Sequence, residues 1–339
     1  MTVKLVEKLK GKAWVRRLGY PAFFSLAFSG GIYLTFPYDQ LRDRIVAEAE
    51  RATGMEVEIG KVRLAGMSGL TLHGVAISDP ASLAAAQAAA EAAAARAAAA
   101  AEGGEAEEAG AKEGEEAEEP VIKRVYLDSV TAKADLIALA LGKRAFKFDI
   151  DAFGGDIHGR VVMGEEEQVF EAKARKIDFA QSPLQAFTGL DLAGNIDTIE
   201  IALRSPGADF SKADGTVEIH GADLVLNGGE VQMFELPQVA LGALDGRLVF
   251  KEGSAEVEEF KLKGQDLEAE IVDTFIRLQP MLKNSSINGK LRFKPSEDWW
   301  NRNEMLKSAA NFALPAAKDG WRTLTLYGPI SSPRFRPQK

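Results

Sequence analysis

A period of two governs most of this chain and restricts its fold more than any other feature. Runs in which apolar and polar residues alternate recur from Met55 onward. Examples are Met55-Glu-Val-Glu-Ile59, Phe146-Lys-Phe-Asp-Ile150, Thr216-Val-Glu-Ile-His220, Arg247-Leu-Val-Phe250 and Lys290-Leu-Arg-Phe293. Alternation sends successive side chains to opposite faces, so each run reads as a strand with one face turned from water. Between and within the runs a residue-glycine pair recurs: His73-Gly74, His158-Gly159, Ala193-Gly194, His220-Gly221, Asp245-Gly246, Lys263-Gly264, Asn288-Gly289 and Tyr327-Gly328. Its intervals are irregular, which points to a meander of antiparallel strands rather than a strict solenoid. Asp245-Gly246 and Asn288-Gly289 are also the dipeptides that two-residue hairpin turns favour. Helices are expected at Thr131 to Leu141, after Ser182-Pro183, at Ile271 to Met281, and at Ser296 to Phe312, where Ser296 caps and Glu297 and Asp298 occupy the first turn. The fold class is therefore mainly β with a few helices, built on a bent antiparallel sheet.

The N-terminus follows different physics. Residues 1–17 carry Lys4, Lys8, Lys10, Lys12, Arg16 and Arg17 against one acid, Glu7, and residues 18–37 contain no charge. About twenty apolar residues cross a ~30 Å hydrocarbon core as a helix. Leu18, Tyr20, Phe23, Phe24, Leu26, Phe28, Ile32, Tyr33, Leu34 and Phe36 would meet the lipid, with Trp14, Tyr20, Tyr33 and Tyr38 near the interfaces. The positive flank predicts a cytoplasmic segment 1–17, a transmembrane helix 18–37 and an exported remainder. A cleaved signal peptide is the alternative, since Ala27 and Ser29 form a small-residue site, but the apolar run continues past it.

Residues 38–81 open the exported domain. Asp39 is a candidate cap for a helix with Leu41, Ile45, Ala49 and Ala52 on one face, ending at Gly54 before the first strands. Residues 82–119 interrupt it with an alanine-rich stretch and a Gly/Glu-rich block. The former has high helix propensity and no apolar face; the latter repels itself and stays solvated. A loop insertion is expected there, and residues 120–339 complete the β-rich domain. The net charge of −9 comes largely from this block, because residues 101–120 hold nine Glu and one Lys. The remainder is near neutral, without the basic footprint of a nucleic-acid binder.

Catalytic patterns do not emerge. With no cysteine in the chain, disulfides, thiolate metal sites and cysteine nucleophiles are excluded. No phosphate loop, nucleophile elbow or H-E-x-x-H motif occurs. Gly154-Gly-Asp-Ile-His-Gly159 sits among strand patterns with no following helix, so it reads as a turn rather than a phosphate cradle. His73, His158 and His220 each follow an apolar residue and precede glycine. Three histidines in equivalent positions are a candidate metal or pH site. Other copies carry Ala, Asp, Lys, Asn or Tyr there, which favours a solvent-facing strand position. Asp149/Asp151 and Glu256/Glu258/Glu259 lack any neighbouring nucleophile or oxyanion donor. No catalytic residue, cofactor or metal ligand is assigned. Near the C-terminus, Trp299, Trp300, Leu306 and Phe312 form a bulky apolar group, suited to plugging the sheet or to contacting a partner or membrane.

The order of these segments resembles a known family. The basic start and span are followed by Phe36-Pro-Tyr-Asp-Gln-Leu41, Ala52-Thr-Gly-Met-Glu-Val-Glu-Ile-Gly60 and Gly69-Leu-Thr-Leu-His-Gly-Val-Ala-Ile77, which look like the opening of AsmA-like envelope proteins. Leu136-Ile-Ala-Leu-Ala-Leu-Gly-Lys143 before Phe146 resembles the next segment. Asp319-Gly-Trp-Arg-Thr-Leu-Thr-Leu-Tyr-Gly-Pro-Ile-Ser-Ser-Pro-Arg334 resembles the closing strands of the type II secretion system protein N family, particularly its deltaproteobacterial branch. The resemblance implies a single-pass bacterial inner-membrane protein with a periplasmic, groove-shaped β-sheet domain and no catalytic residues. The expected function is an accessory role in type II secretion through contacts with its subunits. The alternative is a module that binds or moves phospholipid in an apolar groove.

Overall fold

The computed structural model describes residues 37–101 and 122–338, except positions 67, 141, 165–166, 208, 232–233, 280–283, 315 and 331. All ten anchor residues from Leu18 to Phe36 lie outside the described residues. Among those described, no helix is long and apolar enough to cross a membrane.

The alternating runs form one antiparallel sheet of fifteen strands. In chain order these are β1 Glu56–Leu64, β2 Gly69–Ser78, β3 Arg124–Ala134, β4 Arg144–Ala152, β5 Gly155–Met163, β6 Glu167–Asp178, β7 Leu190–Pro206 and β8 Asp214–Val231. Then follow β9 Phe234–Leu236, β10 Val239–Lys251, β11 Ser254–Lys263, β12 Leu267–Arg277, β13 Ser286–Pro295, β14 Arg322–Pro329 and β15 Arg334–Pro337. Each strand pairs with its sequence neighbours, except that β10 lies against β8 and the short β9 pairs only with β8. β1 and β15 each have one partner, so the sheet is open. The turns fall on two rims. The first carries the β1–β2, β3–β4 and β5–β6 connections and those that follow in alternation; the second carries the others.

Six α-helices decorate the rims among the described residues: α1 Tyr38–Thr53, α2 Pro80–Ala101, α3 Leu136–Ala140, α4 Leu184–Thr188, α5 Glu297–Arg302 and α6 Glu304–Ala313. α1 lays Leu41, Ile45, Val46 and Ala49 on Val57, Ile59, Val62 and Val75. It ends as expected at Gly54, whose left-handed backbone (φ 69°) lets its N–H reach the Glu50 carbonyl at 2.8 Å. Asp39 does not cap it: the helix already begins at Tyr38, and Asp39 sits in the first turn, where its charge faces the positive end of the helix dipole. The chain leaves β2 and re-enters β3 at one point. There the Asp79 N–H donates to the Lys123 carbonyl at 2.9 Å and the Lys123 N–H to Ser82 Oγ at 3.1 Å.

Four further local expectations are corrected. Thr131–Ala134 ends β3, leaving a helix only at Leu136–Ala140, and Ile271–Arg277 belongs to β12. In both places the ladder bonds of two neighbouring strands override a short helical pattern. The stretch from Ser296 to Phe312 is helical but breaks at Asn303 into α5 and α6, with Ser296 Oγ accepting the Trp299 N–H at 3.2 Å. Asp245-Gly246 and Asn288-Gly289 are not turns: they lie within β10 and β13. Among the described residues, two-residue turns fall instead at Phe153-Gly154 (φ 54° and 73°) and Glu252-Gly253 (φ 47° and 84°), with positive φ at both positions.

Candidate functional site

Register sorts the side chains of the sheet into two chemically distinct faces. One row of cross-strand neighbours runs Val62, Leu72, Val130, Ile150, Ile157, Ala174 and Ile199, from β1 to β7. It continues through Ile219, Gly246 and Phe260 on β8, β10 and β11. Ile271, Leu291 and Leu324 extend it to β14, where Leu324 meets Pro337 of β15. The next row toward the first rim is Leu64, Leu70, Ala132, Phe148, Gly159, Ala172, Ile201, Val217, Leu248 and Val257. A third joins Ala134, Phe146, Val161, Phe170, Leu203, Gly215, Phe250, Ala255, Ile276 and Ile287. Every position in these rows is apolar; beyond them Thr274, buried, fills the space beside Gly289 on the same face, its hydroxyl donating to the Val272 carbonyl at 2.9 Å. At about 4.8 Å per strand the first spans roughly 60 Å along the sheet.

The opposite face is ionic. Lys61, His73, Ser129, Asp151, Asp156, Arg175, Thr198, His220, Asp245, Lys261, Glu270 and Arg292 form one of its rows. Its charges satisfy one another: Lys173 bonds Glu200, Arg247 reaches Glu218 at 3.3 Å and Glu258 at 3.2 Å, and Arg292 reaches Glu270 at 2.6 Å. The Lys173 ammonium, by hydrogen bond and charge, holds the Glu200 carboxyl below its usual range. A recess of about 550 Å³ on this face is lined by such pairs, including Lys133, Asp149, His158 and Lys173. All three histidines lie on this ionic face, His158 alone in the recess. His158 sits between Asp149 (2.7 Å) and Asp156 (2.8 Å), and His220 meets Asp245 at 2.8 Å. His73 and His220 are six strands apart, about 29 Å at 4.8 Å per strand, so the three share no site. Among the described residues no group of three or more His, Asp or Glu is placed to hold a metal.

Among the described residues, α-helices cover the apolar face in two places. α1 covers it over β1–β3. Near the second rim, α5 and α6 pack Trp299, Trp300, Leu306 and Ala310 on Leu226, Val239, Leu241 and Leu267. Trp299 and Trp300 are only 8% and 7% exposed, and Trp299 donates its indole N–H to the Gln238 carbonyl at 3.1 Å. Arg322, over the Trp300 ring, donates to the Ala310 and Leu314 carbonyls and so ties down the end of α6; burial lowers its pKa. The two tryptophans and Leu306 thus plug the sheet, while Phe312 (94%) and Met305 (89%) point into solvent. A third cluster joins Ala174, Ile177, Ile196, Leu224 and Leu244.

Phe148, Phe170, Ile201, Leu203, Val217, Leu248 and Phe250 belong to none of these clusters and remain half-buried. At the C-terminal end, Phe260, Ile271, Ile287, Leu291, Leu326, Ile330, Pro333 and Phe335 line an apolar recess of about 380 Å³. This stretch of uncovered apolar face is the candidate site. Its residues escaped sequence reasoning individually, although the alternation contained the signal; register alone shows that they are contiguous. Comparison with protein-family models, curated proteins and solved structures returns no match.

Proposed function

We propose that this protein is a non-enzymatic, membrane-anchored lipid-binding module of the bacterial envelope, whose sheet curls about its apolar face as an AsmA-like groove and holds phospholipid acyl chains there. The observation that carries the reading is the long apolar face of an open sheet, over whose first-rim half from β4 to β11 the described residues place no second layer. Bare apolar surface costs about 25 cal/mol per Å² in water. Patches beyond a few hundred Å² mark a binding surface. Acyl chains suit it because its three rows are long and apolar, with no polar side chain in them to select a headgroup or a folded partner. The charged face opposite supports the same orientation, with solvent on one side and hydrocarbon on the other.

Native mass spectrometry of the full-length protein in mild detergent tests this. The expected result is bound phospholipid, and Val217→Glu, placed between Ile201 and Leu248, should remove most of it while leaving the circular dichroism unchanged. A lipid-free wild-type protein would sink the proposal. A second reading, contact with type II secretion subunits, draws on the exposed Phe312 and Met305 of α6. It expects those subunits to co-purify with the wild type and to be lost with Phe312→Asp.

A further inference from the structure

The apolar segment at the β3–β4 connection is not explained by the lipid-binding face. α3 buries only Ala138, while Leu136, Ile137 and Leu139 are 56%, 76% and 43% exposed. The segment is held out in a defined shape. The Asp135 carboxylate accepts the Ala138 N–H at 3.2 Å and is paired with Arg160 at 3.3 Å and Lys147 at 3.7 Å. Directly after it, Lys143 and Arg144 are exposed and make no ion pair with a described residue. Phe146 and Met163, at the adjoining strand ends, are 41% and 44% exposed. The exposed apolar knob is costly in water, and with exposed cations beside it the corner matches a lipid interface, where hydrocarbon lies beneath anionic headgroups.

The path of the chain supports the same partner. α1 begins at Tyr38, and Tyr38, Asp39 and Arg42 line a recess with Gly60, Val62 and Arg63, toward the first-rim end of β1. The charge-free stretch 18–37 therefore joins the described domain near the rim that bears α3, only three strands away, or roughly 15 Å. On the far side, Glu167 opens β6 and gives the patch an acidic limit.

We propose that the first-rim corner formed by β1–β4 docks on an anionic phospholipid surface, with Leu136, Ile137 and Leu139 entering the interface and Lys143 and Arg144 meeting headgroup phosphates. The inference goes beyond the lipid-binding face and does not require it, since a domain docked by this corner can carry lipid elsewhere or none.

The chain has no cysteine, so a single introduced thiol is a unique label site. Full-length Ile137→Cys carrying an environment-sensitive fluorophore is reconstituted into phosphatidylcholine vesicles, or into equal parts phosphatidylcholine and phosphatidylglycerol, each with lipids spin-labelled near the headgroup. Phe312→Cys, on the opposite rim, is the reference. The label at 137 should be quenched by the spin-labelled lipid, more strongly with phosphatidylglycerol, and the label at 312 should not. Lys143→Glu with Arg144→Glu should reduce quenching at 137 to the level of the neutral vesicles. Equal lack of quenching at 137 and 312 overturns the proposal. So does a label at 137 shielded from aqueous iodide yet untouched by spin-labelled lipid, which identifies a protein partner or second copy. Phospholipid retained by a protein whose label at 137 stays unquenched defeats the docking alone; the converse result defeats the groove alone.

Discussion

Phe148 and Gly159 face each other across β4 and β5, and the ring occupies the space a side chain on Gly159 would need. A Cβ there would lie 2.1 Å from Phe148 Cζ, and the ring stacks on Phe170 at 6.1 Å between centroids. Gly246 does the same for its neighbours, since its Cβ would fall 2.6 Å from Ile219 Cγ2. These mid-strand glycines are seats for large apolar side chains, which smooth and close the apolar face. Gly159→Val should therefore destabilise the protein by about 1–3 kcal/mol through overpacking, read as a lower urea midpoint. In a Phe148→Leu background the penalty should shrink, because the two changes touch the same space. An equal penalty in both backgrounds would show that backbone conformation, not the ring, selects glycine. The residue-glycine pairs were legible in sequence, but their role was not. Asp-Gly and Asn-Gly favour hairpin turns locally, and only partners on two flanking strands keep Asp245-Gly246 and Asn288-Gly289 extended.

At the scale of elements, legibility followed the strength of the local period. α1, its Gly54 terminus and the Ser296 cap were readable because one apolar face or one hydroxyl decided each. β12 was misread as a helix because Ile271 to Met281 carries apolar residues at both spacings, and its partners β11 and β13 settle the matter. α2 is the opposite case, a helix from composition alone, with its residues from Ala88 to Ala95 exposed. Alanine keeps it helical with almost no tertiary packing. Its chain leaves and re-enters the sheet at Asp79, Ser82 and Lys123, so the β2–β3 register does not depend on what lies between. Replacing residues 84–119 with a short Gly/Ser linker, keeping Ser82, should move Tm by no more than a few degrees, since loop-closure entropy changes slowly with length. A loss of several kcal/mol would mean that α2 packs on the sheet, and differential scanning calorimetry distinguishes the two.

For the whole molecule, the consequence of a sequential meander is a one-dimensional architecture in which each strand leans on its neighbours and the apolar face grows with every hairpin. A closed sandwich or barrel would bury that face against itself; the open path from β1 to β15 does not. If hydrocarbon occupies the face along its length, lipid contact must recur at widely separated strands and be absent behind them. The chain contains a natural set of probes, because phenylalanines stand on both faces. Phe146 on β4, Phe170 on β6, Phe250 on β10 and Phe335 on β15 belong to the apolar face, while Phe275 on β12 pairs with Glu256 and Asn288 on the ionic one. Phe275 is 46% exposed, more than Phe146 at 41%, so exposure alone predicts at least equal labelling there. Photoreactive benzoylphenylalanine at each position, one at a time in the full-length protein in its native membrane, separates the two explanations. Phospholipid adducts, read by mass spectrometry after illumination, should form at Phe146, Phe170, Phe250 and Phe335 and not at Phe275. Adducts confined to Phe335 would restrict lipid to the C-terminal recess around Phe260 and Leu291. Adducts at Phe275 as abundant as at Phe146 would make lipid contact a matter of exposure, and the continuous face would lose its claim to be a binding surface.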